Sequence, residues 1–85
     1  MTIKTLLVAN RGEITRRIFR TAKSMGITCI AVYTDADSNE PFVTEADKSI
    51  YLPTNYLDIE AIIDAAKKTN SDAIHPGYGF LSENA

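Results

Sequence analysis

Eighty-five residues allow one small domain, and 45% hydrophobic with 24% charged residues at net charge −2 is the balance of a globular protein. That charge lacks the basic excess a nucleic-acid partner needs, and no apolar run approaches the roughly 18 residues of a membrane span. Cys29 stands alone, which excludes an internal disulfide framework. With no signal-peptide layout after Met1-Thr2-Ile3-Lys4, a reducing, cytoplasmic setting is the expectation.

The run Thr5-Leu6-Leu7-Val8-Ala9 is short and unbroken, the pattern of a strand covered on both faces. A helix follows, with Ile14, Ile18, Ala22 and Met25 as its predicted buried stripe. Arg16, Arg17, Arg20 and Lys23 fall mostly off that stripe and read as a solvated face. Gly26 supplies the left-handed residue that ends the helix. The second strand runs from Thr28 to Tyr33 and holds Cys29, expected to be buried and inert. Polar residues 34–41 form a loop, and Phe42 to Ala46 a helical turn with Phe42 and Val43 inward. Lys48 to Leu52 is the third strand, stopped by Pro53.

Asp58 caps the next helix, with Leu57 and Ile62 as a hydrophobic staple. Ile59, Ile62, Ile63 and Ala66 are its predicted buried residues, and Lys67 and Lys68 favour its negative end. Asp72 to His75 is a fourth strand, and Ser82 reads as the cap of one more helix, at which the chain stops. This alternation implies an α/β, Rossmann-like domain with an open parallel sheet over residues 1–85. Right-handed crossovers give the strand order 3-2-1-4. The loops after strands 1 and 4 then meet where the order reverses, the place where such sheets hold ligands.

The loop after strand 1, Asn10-Arg11-Gly12-Glu13, has one of the three glycines a dinucleotide site requires. Asp35 imitates the acid that holds a ribose, but the missing glycines disfavour that reading. Asn10 is expected to cap the helix with Glu13 as its capping-box partner, leaving Arg11 to brace a neighbouring loop. The loop after strand 4 holds Gly77, Tyr78 and Gly79, where glycines admit close approach of a ligand and the ring can pack on a planar group. From the residues alone, a ligand loop and a plain chain reversal are equally open. His75 reads as a core histidine with a satisfied ring rather than a proton carrier, and Glu83 as a complement to a helix dipole. No metal-ligand spacing, P-loop or nucleophile–base pair is visible.

The segments Val8 to Ile14 and Ala73 to Asn84 closely resemble the amino-terminal domain of biotin carboxylase, with support from Ala31-Val32-Tyr33, Ala46-Asp47 and Tyr56 to Ile63. That domain also opens acetyl-CoA, propionyl-CoA and pyruvate carboxylases. The resemblance implies a domain that precedes an ATP-grasp module, in an enzyme using ATP, Mg²⁺ and bicarbonate to carboxylate biotin on a carboxyl carrier domain. Tyr78 and Gly79 match positions lining the biotin pocket. His75, Gly77, Glu83 and Arg11 are then supporting residues of the pocket loops, and Arg20 and Ser24 match a contact of the family's homodimer. The ATP, metal and bicarbonate ligands belong to other segments, so no catalytic or metal-binding residue is expected here.

Two departures stand out: the connection Leu52 to Tyr56 is short for the family, and Lys48 replaces a frequent acid. The expectation is an amino-terminal piece of a carboxylase, inactive alone, with an open sheet edge that leaves it weakly stable or self-associated. The alternatives are a free-standing module docking on a carboxylase and a small nucleotide-binding Rossmann protein.

Overall fold

The structure is a computed structural model that describes residues 3–55 and 58–75. Four strands, β1 (Thr5–Val8), β2 (Thr28–Tyr33), β3 (Lys48–Tyr51) and β4 (Ala73–His75), form one sheet in the order β3-β2-β1-β4. All three pairings are parallel, and Val8 lies opposite Ala31 on one side and His75 on the other. The helices are α1 (Gly12–Ser24), the short α2 (Pro41–Glu45) and α3 (Ile59–Lys68). The expected topology is therefore the observed one. Within the polar loop, Asp35–Asp37 winds into a 3₁₀ turn.

Side chains alternate across the sheet and build two cores. Leu7, Ala9, Ile30 and Val32 meet Leu52 and the α3 residues Ile62, Ala65 and Ala66. Val8, Cys29 and Ala31 meet Phe19 and Ala22 of α1 and Phe42 of α2. Complete burial of each large apolar side chain contributes about 1.5–3 kcal/mol. Burial also pushes the Cys29 thiol pKa up, with the Asp47 charge adding to it, so the thiolate is disfavoured.

Both helices are rotated from their predicted stripes. The deepest α1 residues are Thr15, Phe19 and Ala22, while Ile14 and Ile18 are half-buried and Met25 is 69% exposed. Two adjacent rows on α1 are apolar, and the row containing the bulky Phe19 takes the sheet. On α3 the sheet-facing residues are Ile62, Ala65 and Ala66, and Ile59 and Ile63 remain over 40% exposed, at 43% and 42%. Ile62, Ala65 and Ala66 share one face of the helix, and Ile59 and Ile63 lie off it.

Helix ends follow one device. Gly26, at φ +78°, donates to the Lys23 carbonyl while Ile27 donates to that of Ala22, closing α1 in a Schellman turn. Asn70, at φ 55°, does the same for α3, with its own N–H to Lys67 and the Ser71 N–H to Ala66. At the entry to β4, the Asp72 carboxylate accepts the Lys4 and Thr5 N–H groups at 2.9 and 3.0 Å. Those two bonds hold its pKa below the usual carboxylate value.

Candidate functional site

At the carboxyl ends of the strands, the order reverses between β1 and β4, and the chain leaves β1 through Asn10, Arg11 and Gly12. Asn10 is buried, and its Oδ1 accepts the Arg11 N–H at 2.8 Å. The expected capping box is not formed. Arg11 is the residue before the helix, extended at φ −135°, and among the described residues no side chain caps α1. Glu13 turns outward instead, 2.9 Å from Arg20 and 3.5 Å from Arg16. Gly12 has φ +71°, and a Cβ there would meet nothing within 4 Å, so backbone conformation rather than space demands glycine.

Arg11 braces a neighbouring loop, and that loop is the one after β2. Its Nη2 lies 2.6 Å from Oδ1 of Asp37, whose side chain is only 2% exposed although the guanidinium side chain is 58% exposed. Asp37 carried no signal in the sequence, because a loop acid has no periodicity and its partner is 26 residues away. Asp35, the imitator of a ribose-binding acid, accepts a hydrogen bond from Tyr51, which raises the tyrosine pKa.

His75 is exposed rather than part of the core, at the end of the edge strand β4. Its carbonyl accepts the Ala9 N–H at 2.9 Å, and it borders a shallow apolar cleft with Leu6, Ile18, Met25 and Ile27. Arg20 and Ser24 both lie on the exposed side of α1, the serine hydroxyl donating to the Thr21 carbonyl. Of the helix's basic row, Arg16 is no mere solvated residue. It forks onto Glu45 at 2.8 and 3.0 Å, and Lys23 donates to the Glu45 carbonyl, so the row pins α2 to α1. That pairing raises the Arg16 pKa and lowers that of Glu45.

Gly77, Tyr78, Gly79, Ser82 and Glu83 lie outside the described residues, as does Leu57 of the expected staple. Among the described residues, no group of three or more His, Cys, Asp or Glu side chains could hold a metal ion. A single glycine after β1 is likewise a poor cradle for phosphate. These residues therefore do not fit Mg²⁺ or the phosphates of a nucleotide; what they build is a braced rim beside the exit of β4.

A parallel sheet with this reversal defines a ligand-rim α/β domain, and the comparisons with known proteins specify which. The family model described as biotin carboxylase, N-terminal domain, matches residues 2–85, so the chain belongs to that family. Urea amidolyase of Saccharomyces cerevisiae is 56% identical over 86 residues, which cover 95% of this chain and 5% of that protein. The crystal structure of a biotin carboxylase–βγ-ATP complex from Campylobacter jejuni is 50% identical with TM-score 0.93, over 98% of this chain and 20% of that one. The biotin carboxylase domain dimer of Hydrogenobacter thermophilus 2-oxoglutarate carboxylase, in complex with MgADP, ADP and bicarbonate, is 43% identical with TM-score 0.92, over 99% and 19%. The chain thus spans a small part of each relative.

Proposed function

We propose that this chain supplies one wall of the biotin site in an ATP-dependent biotin carboxylase, and part of that enzyme's dimer surface. The reading rests on the family match across residues 2–85, together with a braced rim at the strand reversal immediately before the Gly77-Tyr78-Gly79 loop. In this role Tyr78 packs against the ureido ring and the Gly79 backbone orients it, while His75, Gly77 and Glu83 shape the loop. Arg20 and Ser24, exposed on α1, face a second copy. ATP, Mg²⁺ and bicarbonate are handled by the ATP-grasp module, which charges biotin on a carrier domain. Phosphate clamping needs lysines, arginines and metal placed around the nucleotide, and that apparatus comes from outside this chain. The final acceptor differs among relatives, as urea amidolyase and 2-oxoglutarate carboxylase illustrate.

The test is bicarbonate-dependent ADP release by the polypeptide carrying this domain, stimulated by free biotin. Tyr78→Ala is expected to raise KM for biotin about tenfold, with KM for ATP unchanged, because it removes binding contacts without touching the nucleotide. The 85-residue chain alone is expected to release no ADP. An unchanged biotin KM in Tyr78→Ala overturns the pocket assignment.

A further inference from the structure

We propose that Asp47 and Asp72 are matched clasps, one at the entry of each outer strand, and that each sets how readily its own strand peels from the β1–β2 pair. Among the described residues β3 and β4 are the outer strands, and each follows directly on an aspartate. Asp72 donates its N–H to the Thr5 carbonyl at 2.8 Å, and its Oδ2 accepts the Thr5 and Lys4 N–H groups at 3.0 and 2.9 Å. Asp47 grips Cys29 in the same way, donating to its carbonyl at 2.8 Å and accepting its N–H on Oδ2 at 2.7 Å. Both aspartates stand one step ahead of the first paired residue of their strand, Ala73 opposite Leu6 and Lys48 opposite Ile30.

In a parallel ladder the carbonyl and N–H of one residue bond to positions two apart on the neighbouring strand. Continuing the ladder past the aspartates would therefore take the carbonyls of Glu45 and Asn70. Glu45 is still the last residue of α2, with its carbonyl accepting Lys23, and Asn70 lies in the φ 55° turn that closes α3. The carboxylate stands in for the carbonyl, as a capping side chain does at a helix start, and a charged acceptor makes the stronger bond. It also fixes register, which a ladder over strands of four and three residues holds only weakly.

The clasps differ in what they shield. Cys29 is fully buried, so without the Asp47 carboxylate its N–H loses its acceptor where water does not replace it; Lys4 is exposed and Thr5 half-buried, and water replaces Asp72 more readily. Leu7 and Val8 of β1 and Cys29 to Val32 of β2 are buried, whereas every residue of β3 and β4 is at least partly exposed. That contrast lets an outer strand open while the centre of the sheet stays folded.

The experiment follows amide hydrogen exchange by NMR in the 85-residue chain, with a reporter at the far end of each outer strand. The Ala9 N–H, bonded to the His75 carbonyl, reports β4; the Leu52 N–H, bonded to the Tyr33 carbonyl, reports β3. Asp72→Ala is expected to speed Ala9 exchange about tenfold, and Asp47→Ala to speed Leu52 exchange about thirtyfold, each leaving the other reporter within about twofold of the parent. Asp72→Asn and Asp47→Asn keep a carbonyl acceptor without the charge and are the milder changes should alanine prevent folding. Each is expected to give about a threefold acceleration at the same reporter. The double alanine variant should show both effects unchanged, because β1 and β2 lie between the clasps. Equal acceleration of both reporters by a single substitution would make the aspartates contributors to global stability alone, and overturns the proposal. So does exchange within about twofold of the parent at the reporter whose clasp has been replaced by alanine.

Discussion

The starts of α1 and α3 are built in opposite ways. At α3 the rules of helix initiation are obeyed: the Asp58 side chain accepts the Ala61 N–H at 3.0 Å, and its second oxygen takes the Thr54 hydroxyl at 2.7 Å. Among the described residues no side chain caps α1 and Thr15 Oγ1 is buried without a hydrogen-bond partner, and the helix's first residue is a glycine at φ +71°. The first helix begins on the rim where the strand order reverses, and the second begins where the chain only needs to turn. Local rules are set aside at the rim where the strand order reverses and kept at the start of α3.

Breaking the rim is expected to have the largest effect. Arg11→Met leaves the Asp37 carboxylate without its guanidinium and is expected to destabilise the domain by about 2 kcal/mol in urea unfolding. That lies below the usual cost of removing one partner of a buried ion pair, because the arginine is more than half exposed. Gly12→Ala forces a Cβ into the left-handed region and is expected to cost about 1–2 kcal/mol, with no gain from packing. Thr15→Val should move the other way, raising stability by about 1 kcal/mol, since it removes a desolvated hydroxyl that has no partner among the described residues.

At the other helix start, Asp58→Ala is expected to lower Tm by roughly 5 °C at neutral pH. Hydrogen bonds from Thr54 and then Ala61 hold the Asp58 pKa below its ordinary 3.8, so its contribution is complete above that value. It is lost as pH falls through the lower folded-state pKa. The Tm gap between parent and Asp58→Ala should therefore close below about pH 4; a gap that persists at pH 2 would deny the carboxylate its role. The smallest effect is expected at the far end of α3, where Asn70→Gly relaxes the φ 55° turn and should add about 0.5 kcal/mol. Thermal unfolding followed by circular dichroism reads both.

Much of this was legible in advance, and the misses share a cause. Strand order followed from unbroken apolar runs and crossover handedness, and the ends of both long helices from Gly26 and Asp58. The helix faces were misread by a small rotation. Ile14, Ile18 and Met25 satisfy a helical period as well as Thr15, Phe19 and Ala22 do, and period alone does not choose between adjacent apolar rows. On α3 Ile62, Ala65 and Ala66 take the sheet while Ile59 and Ile63 do not, another choice of face that the period leaves open. The candidate site was legible as a place, through Arg11 and Gly12, but Asp37 was not. Its importance comes from a partner brought close only when β1 and β2 pair. Asn10 was assigned to the wrong N–H because the helix begins one residue later than a capping asparagine would require.

The Asp72 carboxylate, by gripping the Lys4 and Thr5 amides, anchors the beginning of β1 at the edge of the sheet opposite Arg11 and His75. Four strand residues separate the two edges, roughly 13 Å at about 3.3 Å per residue. A dye or affinity handle joined to the exposed Lys4 side chain would consequently sit on the remote side. A surface bearing the protein by that handle would present Arg11 and His75 to the solution.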